Sequence, residues 1–326
     1  MKSKIHEFQK QNLKVMSKNL FKILFVLIFA VSANAQDIAF NSNELYPEGI
    51  AYSKKQNVFF VSSLHYGKIG KVTQKGVYTE FITDNDLVST IGIHANEKAN
   101  LLYVCVSDPG VSVKTDVKTQ MKLAKLIAYD LTSGKRKFVA DLGALNKDAG
   151  NFANDVDFDA SGNCYVTNSA SPIIYKVTPK GIAKIFATND NWKKEGFNLN
   201  GIVVHPNGYL IVAQSNTGEL YKVSIKNPKG ITKISSDVML GADGIFLNGK
   251  NELMVISNAT KQVFQLNSTD DFVSVKTVRT AATEMNFPTT GIFVKGKYYV
   301  LNAKLNEIFT PNTTLTSNFL IQEIKF

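Results

Sequence analysis

From residue 36 onward, short apolar runs alternate with clusters of Gly, Asn, Asp, Ser and Pro, and no long stretch carries a helical period. A phrase recurs at the head of each unit: Gly49-Ile50, Gly92-Ile93, Gly201-Ile202, Gly244-Ile245 and Gly291-Ile292, with Asp155-Val156 holding the third place. After a turn, each is followed by an apolar strand ending in small polar residues: VFFVSS (58–63), LLYVCVSD (101–108), NCYVTNS (163–169), LIVAQSN (210–216), ELMVISN (252–258) and YYVLNA (298–303). Third strands are read as KIGKV, KLIAYDL, IIYKV, ELYKV, QVFQL and NEIF. The strands are rich in Val, Ile, Tyr and Phe, as pleated, half-buried surfaces require. Ser161-Gly162-Asn163, Pro206-Asn207-Gly208 and Asn248-Gly249-Lys250 supply hairpin turns. Six matching units predict an all-β fold, a six-bladed β-propeller with four-stranded antiparallel blades around a central channel. A β-sandwich explains many short strands but not the sixfold register.

Two segments stand outside the regular repeat. From Ile91 to Asn154 is 63 residues, and the surplus lies in PGVSVKTDVKTQMKLAK (109–125), between the second and third strands of the second unit. That connection emerges on the face where the innermost strands begin, so it is either a flap over a central pocket or a solvated surface loop. The final run, LIQEIKF, reads as an edge strand in need of a partner, and QDIAF (36–40) is the candidate.

Residues 1–35 read as a secretory signal peptide: lysines, the apolar run ILFVLIFAV (23–31), then Ala33-Asn34-Ala35 before Gln36. The run is short for a membrane span, so the mature chain, 36–326, is expected to be one propeller domain without a span, secreted to the periplasm or the extracellular space. The full chain carries a net charge of +10, and losing six lysines and one glutamate leaves about +5. Its lysines are scattered, which gives no nucleic-acid footprint. Cys105 and Cys164 are too few for a disulfide framework and are expected as buried apolar residues, with a single disulfide as the alternative. Histidine is scarce after residue 35 (His65, His94 and His205), which argues against zinc chemistry.

The residues preceding the repeated pair are, in order, Glu48, Ile91, Asn154, Asn200, Asp243 and Thr290. Innermost strands of a propeller run side by side around the axis, so equivalent positions form a ring at one mouth. Four of the six bring carboxylate or amide oxygens to that ring. Two carboxylates facing each other repel unless a cation sits between them. An all-oxygen set suits Ca²⁺, although another divalent cation is possible. Asn and Asp also favour turns into strands through local hydrogen bonds; that accounts for Asn154 and Asn200 more readily than for Glu48.

The phrases YPEGIAY, FANDVDFDASGNCYVTNS, LNGIVV and ADGIFL resemble the senescence-marker protein/gluconolactonase/luciferin-regenerating-enzyme superfamily, with paraoxonases and diisopropylfluorophosphatases as more distant relatives. The resemblance covers residues 46–309 and implies a catalytic calcium held by Glu48, Asn200 and Asp243, with Asn154 as a further ligand or a substrate contact. Two departures put the substrate in question. The Arg that sugar lactonases place two residues before the ND motif is Phe152 here, and the positions where related hydrolases place a mouth histidine are Ile91 and Thr290. Further candidates at the mouth come from the connections after the second strands: His65, Tyr66, Asp108, Asn168, Gln214 and Asn258. Two functions follow as expectations. One is a calcium-dependent hydrolase of small esters, foremost lactones, with Asp243 and Asn154 as catalytic residues. The other is a non-enzymatic propeller that binds a sugar, peptide or partner protein around a structural calcium.

Overall fold

The computed structural model describes residues 36–326, so the expected signal peptide lies outside the described residues. These form six four-stranded antiparallel sheets arranged as the blades of a β-propeller. Blade one comprises Ile50–Ser53, Val58–Val61, Lys68–Thr73 and Tyr78–Thr83; blades two to five follow in the same order from innermost to outermost strand. Their innermost strands are Ser89–Asn96, Ala153–Phe158, Leu199–His205 and Ala242–Asn248. Side chains from facing sheets bury between the blades. Phe59, Tyr103, Tyr165 and Tyr175 are among the largest fully enclosed ones.

Blade six is assembled from both ends of the described chain. Pro288–Val294 and Lys297–Asn302 are followed by Asn318–Ile324, and Ile38–Asn41 adds the outermost strand. The pairing runs antiparallel from Ile38 opposite Ile321 to Asn41 opposite Asn318. The segment NEIF is not the third strand of this blade. It belongs to a short helix, Leu305–Phe309, and the final run is an interior strand flanked on both sides. A helical turn sets Leu305 and Phe309 on one face, i and i+4, and both line the cavity at the axis. The expected hairpin turns hold, with Gly162, Gly208 and Gly249 at φ of 80°, 88° and 77°. Cys105 and Cys164 are both buried and unbridged.

The segment following Ser107 does not close over the axis. Val113 N–H and Ser112 Oγ donate to the His65 carbonyl at 2.9 and 3.1 Å, and Lys114 Nζ donates to the carbonyls of Gly67 and Leu87. The loop is therefore stitched onto blade one, and only Pro109 from it reaches the central cavity. Among the described residues, no helix is long and apolar enough to cross a membrane.

Candidate functional site

Five of the six innermost strands are irregular where the ring residue stands. In blades two to six, register with the second strand shifts between Thr90 and Ile93, Ala153 and Val156, Leu199 and Ile202, Ala242 and Ile245, and Pro288 and Gly291. Such bulges bend a strand and re-aim a side chain, and Ile91, Asn154, Asn200, Asp243 and Thr290 all fall inside them. In blade one the strand proper begins at Ile50, and the Ser62 hydroxyl accepts from the N–H of both Glu48 and Gly49, at 3.2 and 2.7 Å. Thr167 does the same for the N–H of Asp155 at 3.2 Å. Glycine follows the ring residue because the innermost strands converge there. A Cβ on Gly49 would overlap the Ile91 carbonyl, and one on Gly201 would overlap the Asp243 carbonyl.

The result is a constriction lined by Glu48, Asn154, Asp155, Asn200, Asp243 and Thr290, with room for about one water-sized sphere. Glu48 is 7% exposed and Asp243 4%. Burial pushes the Glu48 carboxyl well above its usual range, and the nearby Asp243 and Asp155 push it the same way. Burial raises Asp243 too, while a 2.8 Å hydrogen bond from Asn258 Nδ2 to its Oδ2 works against that rise. Asn154 Nδ2 donates to Ser169 Oγ at 2.9 Å, but Asn154 Oδ1 has no partner, and neither has Glu48 Oε2. Buried oxygens without donors are costly. Two of them, with the carboxylates of Glu48, Asp243 and Asp155 at one constriction, fit a hard cation that takes oxygen ligands. No group of three or more Asp, Glu, His or Cys that could hold a metal occurs among the described residues, so a cation here would depend on the two amide side chains as well.

On one side the constriction opens into a cavity of about 180 Å³. Glu48, Asn154, Asn200 and Asp243 contribute to it, Ser215 and Asn258 add polar groups, and the remaining lining is apolar: Leu64, Ile91, Pro109, Phe152, Phe197, Phe287, Leu305 and Phe309. The opposite mouth is a wider depression of about 510 Å³ that includes His94, Asp155 and Asp157. There Asp155 and Asp157 accept from Ile202 N–H and Val204 N–H at 3.2 and 2.7 Å, which staples blade three to blade four.

Of the six further candidates, only Asn258 lines the cavity. His65 Nδ1 is 2.9 Å from the Val111 carbonyl and its Nε2 is 3.7 Å from Glu44 Oε2, while Tyr66 Oη donates to Glu44. Asp108 is buried and folds its own loop, accepting from Gly110 N–H, Thr115 Oγ1 and Thr119 Oγ1 at 2.9, 2.7 and 2.7 Å. Asn168 Oδ1 accepts from Phe152, Ala170 and Ser171 N–H, and Gln214 Nε2 lies against the Asn191 carbonyl and Asn198. These five side chains hold loops rather than face the cavity. The sequence carries a signal for the aromatic wall: Phe152, Phe197 and Phe287 each stand two or three residues before a ring position.

The fold is that of several solved propellers. The chain is similar to the major allergen Mala s 1 of Malassezia sympodialis, with a TM-score of 0.72, 15% identity and coverage of 90% of this chain and 97% of that one. It is similar to luciferin-regenerating enzyme, with a TM-score of 0.63, 11% identity and coverage of 90% and 96%. It is also similar to the gluconolactonase XC5397 of Xanthomonas campestris, with a TM-score of 0.59, 14% identity and 90% of each chain covered. No protein-family model matches the chain, and no curated protein matches it by sequence. At these identities the likeness establishes the six-bladed architecture, and function must be argued from the site.

Proposed function

We propose that the protein is a calcium-dependent hydrolase of small esters, foremost lactones. The observation that carries this reading is the pair of unpartnered buried oxygens, Glu48 Oε2 and Asn154 Oδ1, in the same constriction as Asp243 and at the foot of a small cavity. Glu48, Asn154, Asn200 and Asp243 are the residues that would hold the ion. A bound calcium would supply Lewis acidity toward a carbonyl and compensate the two carboxylates. The Asp243 carboxylate, which accepts a hydrogen bond from Asn258, would take a proton from an attacking water. With a substrate seated in the cavity, its apolar walls would help to exclude bulk water and strengthen electrostatic interactions at its foot. The gluconolactonase among the structural neighbours adds support at the level of architecture.

The test joins binding to turnover. Calcium titrated into chelator-stripped protein should bind one to one by calorimetry, and Asp243→Ala should lose that binding. The variant's lactone hydrolysis should fall by about 10²-fold or more with an unchanged far-UV circular dichroism spectrum. Wild-type turnover in the variant would overturn the mechanism. Tight calcium binding without hydrolysis of any lactone or ester would leave a binding propeller with a structural ion.

A further inference from the structure

The walls of the cavity differ in chemistry from its foot. Above the ring residues, the polar side chains are Ser215 and Asn258, and Asn258 is already committed to Asp243. Phe152, Phe197, Phe287, Leu305 and Phe309 supply much of the rest. Phe152 meets Phe197 edge to face, with centroids 5.0 Å apart and planes at 90°. Phe197 and Phe309 are 43% and 49% exposed at the rim, where large aromatic side chains gain by covering an apolar guest. The aromatic wall is also built deliberately into the backbone. Phe287 takes φ +50°, and its carbonyl accepts from Ala303 N–H, two residues before the helix that carries Leu305 and Phe309. That helix is held by Tyr46, whose Oη donates to Glu307 at 3.0 Å.

A polyhydroxylated ring in this cavity would bury several hydroxyls against carbon with few partners, which is unfavourable for each one left unpaired. An apolar group loses nothing there. Resting on the reading of the ring as a carbonyl-activating site, we propose that the substrates are alkyl- or aryl-substituted lactones rather than sugar lactones, and that Phe152, Phe197, Phe287 and Phe309 set the preference. The cavity volume of about 180 Å³ is near that of an apolar cavity of about 150 Å³ that accepts a benzene-sized ring. A lactone ring with a short chain fills it.

The experiment has a turnover arm and a binding arm, both with the protein in excess calcium chloride. Turnover is followed for γ-butyrolactone, γ-hexanolactone, γ-octanolactone and glucono-1,5-lactone. Binding is measured by calorimetry for cyclopentanone and 2-butylcyclopentanone, which offer a ring carbonyl but no ester bond. Efficiency and affinity should rise about three- to fourfold per added methylene until the cavity is full, with glucono-1,5-lactone the poorest substrate. Phe197→Ala and Phe309→Ala, at exposed rim positions that leave the core intact, should flatten both series. A flat ketone series, or faster turnover of glucono-1,5-lactone than of the alkyl lactones, overturns the preference even where hydrolysis is found. A rising ketone series without hydrolysis of any lactone keeps the apolar preference and overturns the hydrolase.

Discussion

Burying Glu48 and Asp243 in one constriction raises the free energy of the cation-free protein, because each loses hydration and faces another negative charge. The sign of the pH dependence follows. Carboxyls whose folded pKa is raised bind more protons folded than unfolded, so what this pair contributes to cation-free stability is fully present below the ordinary carboxylate range of about 4 and is lost as pH rises from there through neutrality. Saturating calcium should cancel that loss, so in chelator-paired thermal melts the gain from calcium should grow as pH rises from about 4 to neutrality; a gain that does not change with pH would contradict it. In the same melts Asp243→Asn should stabilise the cation-free protein and remove most of the gain from calcium. The ring residues were legible because they precede a repeated Gly-Ile pair, and that pair exists for a steric reason at the converging strands. The loop-holding roles of Asp108, Asn168 and Gln214 were not, since a polar residue after a strand looks alike whether it turns to the axis or back to a backbone amide.

At the level of elements, two departures from the repeat decide what surrounds the site. The helix Leu305–Phe309 replaces an expected strand, and its i, i+4 pair completes the aromatic wall. Four residues of NEIF are too few for periodicity to separate helix from strand. The long loop after Ser107 depends on Asp108, a buried carboxylate accepting from the amides of Gly110 and Asp116 and from two threonine hydroxyls. Asp108→Ala should therefore cost on the order of 3 kcal/mol in urea denaturation, the scale of hydrogen bonds to a charged group. It should also expose Lys114, Lys118 and Lys122 to trypsin in the folded state. Unchanged stability and proteolysis would show that the stitching to blade one suffices alone.

For the whole molecule, the ring is joined by one strand pair, Ile38–Asn41 against Asn318–Ile324, with Phe40 buried and packed on Phe319 at 5.8 Å between centroids. Phe40→Ala should lower stability by about 3–5 kcal/mol and shift one cooperative transition rather than create an early separate one. A separate low-temperature transition would mean that the sixth blade opens independently. The pairing of QDIAF with the last run was readable because an apolar alternating strand without a neighbour is a liability that must be covered. This seam also sets the tempo at which the protein is made. Its two halves lie some 280 residues apart in the chain, so a ribosome releases the partner strand only after all five of the other blades. The first strand must wait unpaired until then, while five blades with local contacts can form ahead of it. Closing the ring is the pairing with the longest sequence separation in the fold, the kind that pays the largest loop-closure entropy before contacts repay it.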